Sequence, residues 1–174
     1  MPDLREQLRQ ILQGRVCFLA IGNLDYGDDG FGVSLGQALI DAGLDNVILA
    51  GKNPERWLGH LSGFDDVIFL DAVELGGTPG AAALLDSSQM AARFPQISTH
   101  KISLGLLSQW IEANGNTRAW LLGAQPESLQ GPQLTTTLQE TRSLIARLLT
   151  ELAGTVAPAG SPQRSSAKGL ELHP

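Results

Sequence analysis

At 174 residues, 43% of them hydrophobic and 17% charged, the chain can bury one core, about 70% of its unfolded surface, without covalent staples. A net charge of −6 with no Lys/Arg cluster excludes a general nucleic-acid binder and is otherwise good for solubility. One cysteine excludes an intramolecular disulfide, and no stretch approaches the roughly 18 apolar residues of a membrane span, so the chain reads as cytoplasmic.

Leu4, Leu8, Ile11 and Leu12 fall on one helical face over residues 3–13, with Asp3 as N-cap and Gly14 as stop. The run Val16–Ile21 then reads as a fully buried strand, with Cys17 inside it as inert packing. It breaks at Gly22-Asn23, passes through a loop holding Asp25, Asp28 and Asp29, and restarts at Gly30 as a helix ending near Gly43. In an open α/β fold such a loop lies at the carboxyl edge of a parallel sheet, where sites are built. Three carboxylates in five residues repel a phosphate and attract a cation.

Asn46–Ala50 reads as a second strand, and Asn53 and Pro54 as the N-cap and first residue of a helix to about Leu61. Asp66–Asp71 is a third buried strand ending in a carboxylate. This strand–helix–strand rhythm predicts right-handed crossovers and a mainly parallel sheet, of about five strands. After the turn cluster at Gly76–Gly80, Ala81–Leu85 reads as a short strand, antiparallel because no helix separates it from its neighbour. Ser98-Thr99-His100 precedes a helix carrying Leu104, Leu107, Trp110 and Ile111, and Thr117–Gly123 is the last strand. Leu134, Leu138, Thr141, Ile145, Leu148 and Leu152 form the stripe of a final helix stopped by Gly154. The chain thus divides into one α/β domain over residues 1–153 and a tail over 154–174, rich in Pro, Gly, Ser and Ala and read as disordered.

Asp29 and Asp71 share the carboxyl-edge address, and His100 stands at a helix start after a loop. Two carboxylates and an imidazole suit a divalent transition metal with open positions. Plainer roles stand beside this one. Asp29 suits a helix N-cap, Asp71 a turn cap before Gly76-Gly77, and His100 a capping or surface position. His60 lies mid-helix with no acidic neighbour at ligand spacing and His173 is in the tail, so both read as non-functional. The chain has no phosphate-binding loop, dinucleotide fingerprint, zinc-protease helix or nucleophile elbow, and Cys17 is remote in sequence from every histidine.

These residues resemble the motifs of the hydrogenase maturation endopeptidases, which process the large subunit of nickel–iron hydrogenases. Gly22-Asn23-x-x-x-x-Asp28-Asp29-Gly30-x-Gly32 is similar to the family's first motif, and Phe69-Leu70-Asp71-Ala72 to its second. Ser98–Leu104 resembles the third, and Leu122–Glu127 the last strand and turn. The resemblance runs in order over residues 16–153 and is closest to the branch serving formate-hydrogenlyase-type hydrogenases.

It implies an α/β/α sandwich and removal of a C-terminal extension from the large-subunit precursor once nickel is inserted. The resemblance carries nickel ligation onto Asp29, Asp71 and His100, with the nickel supplied by the precursor. Catalysis, aspartic-type or metal-assisted, is expected of Asp29, Asp71 and Asp28, the last as helix cap or secondary acid, and Gly22, Asn23, Gly30 and Gly32 shape the loop. The expected partner is the precursor, met by a monomer, with no nucleic acid or membrane involved. One departure is Leu49-Ala50-Gly51, where relatives often carry Asp-Gly-Gly. That missing acid supports a runner-up, a non-catalytic nickel-dependent chaperone or sensor of the precursor. A small-molecule hydrolase or nucleotide-binding domain fits the acidic, glycine-poor loop less well.

Overall fold

A computed structural model describes residues 2–94 and 103–155. Five strands, β1 (Val16–Ile21), β2 (Val47–Gly51), β3 (Asp66–Ala72), β4 (Ala82–Asp86) and β5 (Arg118–Ala124), form one sheet in the order β2-β1-β3-β5-β4. All neighbours are parallel except β4, which runs antiparallel to β5. The connection explains this: β4 follows β3 through turns alone, too short for a crossover. The helices are α1 (Leu4–Ile11), α2 (Phe31–Asp41), α3 (Ser87–Arg93), α4 (Leu104–Ala113) and α5 (Thr136–Thr155).

Every residue of β1 is buried, as its unbroken apolar run requires of a strand covered on both faces. Strand alternation sorts the core into two layers. Phe18, Ala20, Ile68 and Leu70 face α1, α2 and α5, packing with Leu8, Phe31, Leu35, Leu138 and Leu149. Leu19, Ile21, Val67 and Phe69 face the other way, toward Met90 of α3 and Leu107 and Ile111 of α4. The fold is therefore the α/β/α sandwich expected from the sequence. Among the described residues, no helix is long and apolar enough to cross a membrane.

Several local readings need correction. The segment after Asn53 is a 3-10 helix (Pro54–His60), and Asn53 makes no side-chain cap bond. Helix α3 has no expectation behind it. It is only seven residues long, too short to show a stripe, yet it carries a capping box in which Asp86 accepts from the Gln89 N–H and Gln89 from the Asp86 N–H. Gly154 does not stop α5, which runs through Thr155. The second, fourth and fifth strands each sit one residue later than expected, at Val47–Gly51, Ala82–Asp86 and Arg118–Ala124. The expected tail lies outside the described residues from 156 onward.

Helix α2 begins hard against the sheet. A Cβ on Gly32 would overlap the carbonyl oxygens of Ile21 and Leu70, the ends of two adjacent strands. Neither backbone can yield without breaking the β1–β3 ladder, which pairs Ala20 with Leu70. Gly32→Ala is therefore expected to cost about 3 kcal/mol, at the upper end for overpacking. Thermal melting should show this as a fall in Tm of roughly 6–12 °C.

Candidate functional site

The chain leaves β1, crosses through α2 to β2 on one side, and later places β3 on the other side of β1. The carboxyl ends of β1 and β3 thus flank the point where strand order reverses, the usual position for a site in an open α/β sheet. The acidic loop emerges there. Gly22 sits at φ +140 and donates its N–H to Gly51 O at 3.0 Å, and any side chain on it would strike the Asp29 carbonyl. Gly30 lies close to Leu24, where a Cβ would come within 3.0 Å of the Leu24 Cα. The Asn23 side chain closes the turn by accepting from the Asp25 N–H at 3.0 Å.

The three loop carboxylates go to three different environments. Asp25 is exposed. Asp29, in the 3-10 turn Gly27–Gly30, is half-buried; its Oδ2 and its carbonyl oxygen each accept from the Asn23 N–H at 3.1 Å. Asp28 is fully buried. Its Oδ2 accepts from the N–H groups of Glu127 (2.9 Å) and Ser128 (3.0 Å), and its Oδ1 from the Thr135 N–H (2.8 Å). The Thr135 hydroxyl lies 3.0 Å from both oxygens. Burial pushes this carboxyl up, but the hydrogen bonds from Ser128, Thr135 and Glu127 outweigh it and hold it below the ordinary carboxylate range.

Asp28 is thus a latch. It ties the acidic loop to the segment between β5 and α5, reinforced by Gly27 N–H to Gly131 O (2.6 Å) and Asp28 N–H to Ser128 O (2.9 Å). Thr135 in turn accepts from the Leu138 N–H at 3.3 Å, so the latch also orients the start of α5. A carboxylate closed off from water in this way does not suit the secondary acid expected of Asp28.

Asp71 is buried near the end of β3, beside Gly123 of β5. By alternation it faces the α3/α4 layer, as Phe69 does. His100 lies outside the described residues; Ser103, three positions on, is the N-cap of α4, accepting from the Leu106 N–H at 3.1 Å. Among the described residues no cluster of three or more His, Cys, Asp or Glu is placed to hold a metal ion. Asp29 and Asp71 share the sheet edge, and the third expected ligand is not among those residues.

One residue of this edge escaped the sequence reading. Gln125, buried just past β5, accepts from the Leu75 N–H (2.7 Å) and donates to Glu74 (2.8 Å), fixing the loop that follows Asp71. Its signal was a polar residue directly after a buried strand at the site edge. Leu49 leaves its side chain about a third exposed (37%), and Gly51 beside it adopts φ +63. Burial drives the Cys17 thiol up to about 12, so it supplies no thiolate near neutral pH.

The comparisons agree with this geometry. The model of the HycI hydrogenase maturation protease family matches residues 34–152, more than half of the chain; Asp71 and His100 fall within that span and Asp29 just before it. The crystal structure of the [NiFe] hydrogenase maturation protease HycI from Thermococcus kodakarensis KOD1 is similar at 26% identity and TM-score 0.74, over 85% of this chain and 99% of that one. The hydrogenase maturating endopeptidase HybD from E. coli is similar at 25% identity and TM-score 0.66, over 84% and 94%. No curated protein sequence matched the chain significantly. With the sheet order, the switch-point loop and the family match in agreement, the chain belongs to the hydrogenase maturation protease family.

Proposed function

We propose that this protein removes the C-terminal extension from the precursor of a nickel–iron hydrogenase large subunit after nickel insertion. What supports the reading is that Asp29 follows β1 and Asp71 lies near the end of the adjacent parallel strand β3, within a fold of this family. In this reading the nickel belongs to the substrate. Asp29, Asp71 and His100 engage it and so align the scissile peptide, because two carboxylates and an imidazole are a suitable donor set.

Of the two neighbouring acids, Asp29 is the one with solvent access. As general base it takes a proton from the attacking water. The water oxygen bonds to the carbonyl carbon, the C–N bond breaks, and the proton passes to the leaving amine. Asp28 positions Asp29 from the adjacent residue and takes no proton. Recognition through substrate nickel makes cleavage a checkpoint, since an empty precursor lacks the contacts that align the bond.

The decisive test is incubation with nickel-loaded and nickel-free precursor, read by intact mass. Loss of a C-terminal peptide from the loaded precursor alone is expected. The exposed Leu49, standing where relatives often have an acid, favours one other reading, a precursor chaperone. A stable complex with no change in precursor mass would establish that alternative instead.

A further inference from the structure

Two adjoining surface grooves run from the acidic loop along α5. The inner one, about 370 Å³, lies between Leu24 and Gly27 of the loop, Ser34 of α2, Leu134 and Arg142. The outer one, about 480 Å³, is an open face of α5 that shares Gln139 and Arg142 with it and reaches Leu144, with Glu140 as its one carboxylate. Arg142 stands at the junction, half-buried, donating to Ser34 Oγ at 2.7 Å. Among the described residues no carboxylate lies within ion-pair distance of it. It is the only charged residue lining the inner groove, in a chain of net charge −6. Leu24 and Leu144, at the two ends, are 54% and 65% exposed.

A half-buried guanidinium with most of its five donors uncommitted, flanked by exposed leucines, matches an extended peptide bearing a carboxylate between apolar side chains. From these features we infer that the groove holds the precursor's C-terminal extension, the segment to be released, with Arg142 pairing a carboxylate of that segment. The inference rests on the processing role proposed above. The groove's position supports it, because Leu24 and Gly27, from the same loop as Asp29, line its inner end. Arg142 is a specificity residue here and touches no reacting atom.

The test uses the full-length protein and the nickel-loaded precursor. Arg142→Gln should raise KM about 10- to 100-fold while kcat changes less than about twofold, as loss of a charge-assisted pair made equally in ground and transition states requires. Arg142→Lys should recover part of that loss, a point charge replacing the planar fork. Arg147→Gln removes an exposed guanidinium of the same helix that lines neither groove, and should leave KM within about twofold. Equal effects of Arg147→Gln and Arg142→Gln, or an unchanged KM in Arg142→Gln, would overturn the inference.

Calorimetry with a synthetic extension peptide identifies the carboxylate. Weaker binding of the C-terminally amidated peptide assigns the chain terminus, and weaker binding after Asp/Glu→Asn/Gln replacement in the peptide assigns a side chain. Indifference to both changes would also overturn it. If wild-type protein cleaves no precursor, the processing role fails. The peptide's affinity for wild type against Arg142→Gln then still decides whether the groove binds a carboxylate.

Discussion

Asp28→Ala is expected to lower stability by about 4 kcal/mol and Tm by roughly 8–16 °C, with precursor processing falling as the site edge loosens. The substitution strips the shared acceptor from three backbone N–H groups and the Thr135 hydroxyl. Each unsatisfied donor costs about 1–3 kcal/mol where water cannot replace the partner, and part of this loop can rehydrate, which brings the sum down. Asp28→Asn should do little better, because its amide would turn a donor toward donors.

The same residue sets a pH dependence. Its carboxyl is held below the usual range in the folded protein, so as pH falls the unfolded chain takes up this proton first. The latch's stabilisation is therefore fully present above the ordinary carboxylate value. It declines from about pH 5 downward and is gone only below the depressed value of Asp28. The gap between the urea midpoints of wild type and Asp28→Ala should stay nearly constant from pH 7 to about pH 5 and narrow as pH is taken to about 2.5, below the ordinary carboxylate value. Parallel curves would mean that the buried carboxylate carries no such charge-dependent role.

The second large effect concerns chemistry and leaves the fold intact. Asp29→Ala should reduce processing by about 10³-fold or more, the scale on which general-base groups act. The loop should keep its shape, because the Asn23 N–H retains the Asp29 carbonyl oxygen at 3.1 Å when the carboxylate is gone. A Tm within about 2 °C of wild type, together with lost precursor cleavage, would be the expected pair of results. His100→Ala is expected to behave likewise, abolishing processing without unfolding. Normal cleavage by either variant would sink the assignment of the nickel-engaging set.

Much of the frame was legible because its signals are local. The apolar runs of β1 and β3 and the stripe of α5 each announce themselves within a few residues. The antiparallel β4 followed from a connection too short to cross over. Helix α3 was missed because seven residues cannot display a stripe, although Asp86 and Gln89 carried a readable cap. At the site, the carboxyl-edge addresses of Asp29 and Asp71 came from strand ends. The task of Asp28 did not, because its partner Thr135 is 107 positions away and nothing near Asp28 in sequence points to it. Gln125 had a local signal, a polar residue directly after a buried strand, but the loop it acts on lies 50 positions earlier.

That separation has a kinetic consequence. Closing the Asp28–Thr135 latch spans most of the domain, so its entropic cost is met cheaply only after β1, β3 and β5 have already assembled. The latch should then be largely absent from the folding transition state. Asp28→Ala would speed unfolding while leaving the refolding rate nearly unchanged. The edge that holds Asp29 would be the last part of the molecule to become competent and the first to open.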